Sequence, residues 1–142
     1  CGCQCWHCWC AGMDEGMSGR KVAYTNSYRV GPDPDKKFSP VRVSELVSTV
    51  LEDMLSGKQY DSDLSQHLSR EVSKAVLERI RGELPYERYK VVVQTTIGEK
   101  RGQTTRVATR SLWNVDTDNF ASADYHNNSL FASCVVFGFY YA

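Results

Sequence analysis

The stretch LFASCVVFGFYY, residues 130–141, decides the fold because it is apolar on both faces of a β-strand. One face would carry Phe131, Val135, Phe137 and Phe139, and the other Leu130, Cys134, Val136 and Tyr140. A short apolar run that is rich in aromatic and β-branched residues is typical of a strand buried on both sides. We therefore predict that this strand lies in the middle of a sheet.

Three more strands are predicted upstream, and their patterns differ from one another. Residues 120–126 form a short strand of mixed polarity, and residues 103–113 form a strand with no apolar face. Polar turns at 98–102, 114–119 and 126–129 connect the four strands in antiparallel order. The first strand is amphipathic, with Tyr89, Val91, Val93, Thr95 and Ile97 alternating with Lys90, Val92, Gln94 and Thr96.

A strand that buries nothing of its own, such as residues 103–113, is typical of a sheet edge, where another chain can add. Its arginines allow two interpretations. Arg101, Arg106 and Arg110 either meet an acidic segment of a partner or protect an exposed edge against aggregation, and the two roles are compatible. The strand favours a protein that works by pairing with other proteins rather than by chemistry.

Two amphipathic helices precede the strands. The first is predicted over residues 44–56 with Ser44 as its cap, and the second over residues 63–81 with Asp61 or Asp63 as its cap. Each helix has one apolar face, so both need a common surface to cover. The predicted class is α+β, with two helices packed on one face of a four-stranded antiparallel sheet. The other face of the sheet is then left uncovered, which favours dimerisation.

The size and charge of the chain exclude several classes of protein. Its 142 residues suffice for about one domain, and 17 lysines and arginines balance 17 aspartates and glutamates. Because a neutral chain lacks the basic excess that drives binding to nucleic acid or anionic lipid, we expect neither partner. No apolar run approaches the ~20 residues that span a bilayer, and no secretory signal pattern is recognised. We expect a soluble intracellular protein.

The chain is predicted to have three parts, and the first is marked by its cysteines, since five of the six lie in the first ten residues. Residues 1–16 are a cysteine-rich leader, which we expect to be an upstream extension or a misassigned start outside the fold. The alternative is that its C-x-C-x-C-x-x-C-x-C spacing gathers thiolates around zinc or another soft metal. Residues 17–40 are predicted to be an extended arm and residues 41–142 the domain. The candidate anchors of the arm are Tyr24, Tyr28 and Phe38.

Candidate catalytic and metal-binding residues are few. Outside the cysteine-rich leader, no histidine lies next to a plausible cysteine or serine nucleophile in the sequence. Cys134 occupies a strand position suited to a small apolar residue, and a buried free cysteine behaves as one. Asp116 and Asp118 resemble the start of a calcium loop, but the glycine at the sixth place and the glutamate at the twelfth are missing. We therefore predict no enzyme activity, no catalytic residue, no cofactor and no metal site.

Two runs in the second half carry a further signal: RYKVVVQTTIGEKRGQ, from Arg88, and SLWNVDTDNFASADYHNNSLFASCVVFGFYY, from Ser111. They resemble the Tctex-type dynein light chains, with motifs at residues 88–90, 97–98, 113, 127–131 and 137–138. The resemblance covers residues 24–142, and the segments FSPVRV and TIGEKRG place it nearest the type 2b branch. Asn114 departs from the aspartate that follows the tryptophan in many members, and the leader has no counterpart in the family.

The resemblance implies the same α+β fold and a strand-exchanged dimer. In the family, the second strand crosses to the partner and pairs with its first strand, leaving an outer edge for a segment of a dynein intermediate chain. By this resemblance, the dimer contacts are Val92, Gln94, Thr96 and Trp113. The partner-binding edge would consist of Thr104, Thr105, Arg106, Val107, Ala108, Thr109, Arg110, Ser111 and Leu112.

Two functions of different classes follow. The resemblance favours a non-catalytic light chain of a ciliary or flagellar dynein, in the axoneme or in intraflagellar transport. Such a chain would dimerise with a Tctex-1-type light chain or with itself and bind dynein intermediate chains. Through them it would associate with the dynein heavy chain and microtubules. The alternative is a dynein-independent cargo or signalling adaptor that binds peptides by strand addition. The expected locations are the axoneme of the cilium or flagellum, the cytoskeleton and the cytoplasm.

Overall fold

A computed structural model describes residues 28–84 and 86–141 of the chain. The cysteine-rich leader, the first part of the arm and Tyr24 lie outside the described residues. In chain order the elements are a short 3-10 turn (Pro34–Lys36), α1 (Pro40–Leu55), α2 (Ser62–Glu83), β1 (Tyr89–Glu99), β2 (Asn119–His126) and β3 (Leu130–Tyr140). The predicted α+β class is confirmed, with both helices and three of the four predicted strands in place.

The sheet of the described chain is antiparallel and has three strands in the order β1–β3–β2. β3 is the central strand, as predicted, and β1 and β2 flank it, with Tyr89 opposite Tyr140 and Asn119 opposite Gly138. The prediction of a fourth strand at residues 103–113 is not met in the single chain, because this segment has no strand neighbour there. Only a neighbouring edge can supply the hydrogen bonds that turn an extended segment into a strand.

One core lies between the helices and one face of the sheet. Helix α1 contributes Val43, Val47 and Leu51, and α2 contributes Val72 and Val76, all fully buried. From the sheet, the core receives Ala121, Ala123, Leu130, Ala132, Cys134 and Val136, with Val91, Val93 and Ile97 packed at its border. The predicted alternation of β1 is confirmed, since its other side chains are exposed. The helices thus cover one face of the sheet and leave the other open.

The N-terminus of α1 differs from the prediction. The helix begins at Pro40, with Ser39 at the cap position and proline in the first turn, where its missing amide costs nothing. Ser44 is therefore inside the helix and is not its cap. Its hydroxyl instead donates a hydrogen bond to the carbonyl of Ser122 on β2 at 3.1 Å. The cap of α2 is Asp61, as predicted, whose carboxylate accepts from the amides of Asp63 and Leu64.

The arm is held to the domain by Phe38. This side chain is buried, its ring centroid lies 5.3 Å from that of Tyr86, and it packs over the site that a side chain at Gly138 would occupy. Lys36 adds an ion pair with Glu87 at 2.8 Å. The predicted anchor Tyr28 is wrong, because it is fully exposed. Of these two aromatic residues, Phe38 alone faces a strand position that lacks a side chain, so it alone finds a pocket.

Candidate functional site

Residues 103–113, called the edge segment from here on, belong to the connection between β1 and β2 and form no helix or strand of their own. Among the residues described in the structure, no hydrogen bond involves any position from Thr104 to Leu112. Leu112 is 100% exposed and Val107 is 45% exposed. A run of backbone without internal partners keeps its amides and carbonyls available to another strand.

The start of the edge segment is a defined turn. Gly102 has a φ of +80°, a backbone conformation that residues with a side chain rarely adopt. The amide of Lys100 donates to the carbonyl of Ser129 at 2.9 Å, and the side-chain carbonyl of Gln103 accepts from the amide of Arg101 at 2.6 Å. Arg101 also pairs with Glu99 at 2.7 Å. The turn fixes where the segment leaves β1.

The end of the edge segment is fixed by a compact polar turn. The carbonyl of Asn114 accepts from the amides of Thr117 and Asp118, and its side chain accepts from the amide of Asp116. Asp118 accepts from the amide of Asn114 and from the amide of Tyr140 on β3, at 3.2 and 2.9 Å. Asparagine and aspartate both favour this kind of turn, so Asn114 fits the position that aspartate takes in many members of the family it resembles.

Tyr89 ties this turn to the arm. Its hydroxyl accepts from the amide of Phe38 at 3.3 Å and donates to the carbonyl of Thr117 at 2.8 Å. Burial raises the pKa of the Tyr89 hydroxyl, and the hydrogen bond from the Phe38 amide opposes that shift. The hydroxyl therefore stays protonated at neutral pH and can donate to Thr117. One side chain of β1 thus joins the arm, the sheet and the exit of the edge segment.

The outer edge of β1 is the open site for strand pairing. In the described chain, β1 pairs only with β3, so one side of its 11-residue length has no neighbour. The outer edge of β2 is shorter, and the Ser44 hydroxyl already occupies the carbonyl of Ser122 on that strand. The two longest unpaired backbones of the described chain are therefore the β1 edge and the edge segment.

The face of the sheet away from the helices carries an aromatic cluster. The ring of Trp113 lies 6.0 Å from Phe120, 6.4 Å from Phe137 and 6.0 Å from Phe139, measured between centroids. Trp113 therefore rests on β2 and β3 rather than on β1. Phe120 is 40% exposed, so the cluster is only partly covered.

The predicted dimer contacts lie on this same open face. Val92, Gln94 and Thr96 form one exposed row along β1, and Val92 is 51% exposed. Trp113 is half-buried on the aromatic cluster of the neighbouring strands. The structure thus places the first three together on one strand and the fourth on the same face. Sequence reasoning missed Phe120 as part of this face. Successive residues of a strand alternate between its faces, so a large apolar residue next to the buried Ala121 was a signal for the open face.

The buried thiol and the possible metal ligands of the described residues are the candidate chemical sites of the sequence, and the structure gives their surroundings. Cys134 is buried, burial raises the pKa of its thiol, and the Thr95 hydroxyl donates to its sulfur at 3.5 Å. Within residues 28–84 and 86–141, no three histidine, cysteine or acidic side chains are grouped to hold a metal ion. None of the helices in those ranges is long and apolar enough to cross a membrane.

Comparison with known proteins places this fold in a family. Residues 37–139 match the Tctex-1 family. Dynein light chain Tctex-type protein 2B of Danio rerio is 35% identical over 116 residues, which cover 82% of this chain and 77% of the relative. Its Homo sapiens counterpart is 33% identical over 116 residues, 82% of this chain and 81% of the relative. Dynein light chain Tctex-type 5-A of Xenopus laevis is 30% identical over 130 residues, covering 92% and 72%. The resemblance inferred from the motifs is confirmed, and the chain belongs to the Tctex-1 family.

Proposed function

We propose that this protein is a non-catalytic light chain of a ciliary or flagellar dynein. It dimerises with a Tctex-1-type light chain and binds dynein intermediate chains, so that the motor complex assembles and stays stable in the axoneme or in intraflagellar transport. The relatives named as dynein light chains support the dynein part of this role. The geometry of the edge segment supports the binding part.

The observation that carries the proposal is the pair of unpaired backbones. Residues 104–112 have no hydrogen-bond partner in the described chain, and the outer edge of β1 has no strand neighbour. Trp113 holds the end of the segment over β2 and β3, away from the β1 edge of its own chain. The segment of one chain is therefore free to pair with β1 of another, and the exchange gives each sheet a fourth strand.

Dimerisation also covers the open face of the sheet. Val92, Phe120 and the cluster around Trp113 are exposed apolar groups on one surface, which a second chain removes from water. Burying apolar surface contributes about 25 cal/mol per Å². Val92 and Phe120 are exposed in the single chain, so their burial in a dimer would add this contribution. Once exchanged, the edge segment has β1 of the partner on one side and a free edge on the other. A peptide of an intermediate chain adds as a further strand at that free edge.

The test is a tagged pull-down of the full chain from ciliated cells, with every copurifying protein identified. Dynein heavy and intermediate chains together with a Tctex-1-type light chain are the expected result. The matched control is the same chain with Thr105→Pro and Thr109→Pro, which should lose the dynein heavy and intermediate chains because proline interrupts strand pairing at whichever edge it faces. A clean preparation of the unmodified chain without any dynein subunit would contradict the proposal and favour a dynein-independent adaptor.

A further inference from the structure

Positive charge is concentrated on the edge segment and the turn before it. Residues 100–112 contain Lys100, Arg101, Arg106 and Arg110 and no acidic residue, in a chain whose 17 basic and 17 acidic residues balance overall. All four of these side chains are exposed. Such a one-sided distribution creates a local positive potential that the net charge of the chain does not reveal.

Arg106 and Arg110 have neither an ion pair nor a hydrogen bond among the described residues. Arg101, by contrast, pairs with Glu99. In an extended strand, residues four apart lie on the same face at about 13 Å, from a rise of about 3.3 Å per residue. Arg106 and Arg110 would therefore point the same way and present two guanidinium groups at a fixed spacing.

A second basic row lies on the exposed side of α2, the helix that packs on β1. Arg70, Lys74 and Arg81 of α2 are exposed, without an ion pair in the described residues, and their spacing of four and seven places them on one helix face. Arg81 lines a groove of about 340 Å³ together with Lys90 and Val91 of β1. The row spans about 16 Å at a rise of about 1.5 Å per residue. The groove places the positive charges of Arg81 and Lys90 beside the first residues of β1, the strand with which the exchanged segment would pair.

We propose that the peptide added to the edge segment is acidic, with two carboxylates four residues apart opposite Arg106 and Arg110. This inference rests on the strand pairing proposed above and names the chemistry of its partner. Opposite-charge pairs across neighbouring strands strengthen association by about 1.4- to 5-fold each. An extended peptide fits better than a nucleic acid, since the unpaired amides and carbonyls of residues 104–112 match a peptide backbone and not a phosphate backbone.

The first test measures fluorescence anisotropy of the full chain with labelled peptides of about twelve alternating threonine and valine residues. One peptide carries two glutamates four residues apart, a second carries glutamines there, and a third carries lysines. We expect the glutamate peptide to bind most tightly and the lysine peptide least. Raising the salt from about 50 to 500 mM should lower the affinity of the glutamate peptide more than that of the glutamine peptide, because salt screens the charge pairs. Equal affinity of the three peptides, or tighter binding of a labelled DNA duplex, would overturn the inference.

The second test uses charge reversal with a matched control. Arg106→Glu and Arg110→Glu should each weaken the glutamate peptide about 2- to 30-fold and leave the glutamine peptide unchanged. Arg42→Glu makes the same charge change on an exposed position of α1, the helix that covers β2, and should leave both peptides unchanged. Equal effects of all three reversals would contradict the inference. If the unmodified chain binds the glutamine peptide and Thr105→Pro does not, strand addition holds. That conclusion does not depend on how the charge reversals affect the glutamate peptide.

Discussion

A proline scan of the edge segment tests strand pairing through its two-residue period. In a strand, the amide and carbonyl of one residue point to the same edge, and those of the next residue point to the opposite edge. The amides of Thr105 and Thr109 therefore face one edge of the segment, and those of Thr104 and Ala108 face the other. One edge meets β1 of the partner chain, and the other receives the peptide. Proline removes one amide at a chosen edge.

The expected size of the effect follows from the hydrogen bonds that each substitution removes from the interface. A carbonyl of β1 that is left without its donor inside the interface costs about 1–3 kcal/mol. A symmetric dimer contains two such sites, so one substitution costs about 2–6 kcal/mol, which raises the dimer dissociation constant about 30-fold to 10⁴-fold. Residues 104–112 make no hydrogen bond in the described single chain, so the free energy of unfolding of the monomer should change by less than about 0.5 kcal/mol.

Sedimentation velocity and peptide anisotropy together read out the two edges, and thermal unfolding by circular dichroism checks that each monomer remains folded. We expect the four single variants to fall into two groups, Thr105→Pro with Thr109→Pro and Thr104→Pro with Ala108→Pro. Each variant of one group should abolish the dimer and, with it, peptide binding. Each variant of the other group should abolish peptide binding alone and leave the dimer intact. Equal loss of the dimer in all four variants, or a dimer that survives all four, would refute pairing through one edge of this segment.

Three further predictions concern the residues around the edge segment. Val92→Asp places a charge on the open face and should weaken the dimer more than tenfold in sedimentation experiments, with monomer stability changed by less than about 0.5 kcal/mol; an unchanged dimer would exclude this face from the interface. Gly138→Ala introduces a methyl group into the ring of Phe38 and should destabilise the fold by about 1–3 kcal/mol in chemical denaturation, whereas Gly82→Ala meets open space and should not destabilise it. Tyr89→Phe removes both hydrogen bonds of the hydroxyl and should cost about 1–3 kcal/mol. Because burial raises the pKa of the folded hydroxyl, its contribution is fully present below about pH 10 and falls as the pH rises through the raised pKa; a variant with the same alkaline profile as the parent would contradict this role.

Local periodicity was sufficient to predict most of the fold. The two apolar faces of β3 and the alternation of β1 follow from the side chains of those strands alone, and both predictions are confirmed. The beginning of α1 was missed because Pro40 was assigned to the arm, although proline suits the first turn of a helix. Phe38 was predicted correctly as an anchor, but its partner Gly138 is 100 positions away, so the sequence did not distinguish it from Tyr28.

The candidate site was predicted in part, for a physical reason. An edge strand is recognisable from the absence of an apolar face, and residues 103–113 have that composition. Whether such a segment becomes a strand depends on hydrogen bonds from another edge, which the single chain does not provide. The Tyr89 contact with Thr117 and the aromatic cluster at Trp113 join residues distant in sequence, and no local pattern signals them. They became visible only in three dimensions.

Backbone hydrogen exchange of the edge segment, measured by mass spectrometry at several protein concentrations, tests the central claim most directly. If the segment pairs with β1 of a second chain, the amides of residues 104–112 exchange freely in the dilute monomer. Alternate amides then become protected as the dimer forms. Protection should rise in parallel with that of the outer-edge amides of β1 and disappear in Thr105→Pro or Thr104→Pro, whichever abolishes the dimer. A stable dimer whose amides at 104–112 still exchange freely would contradict strand exchange.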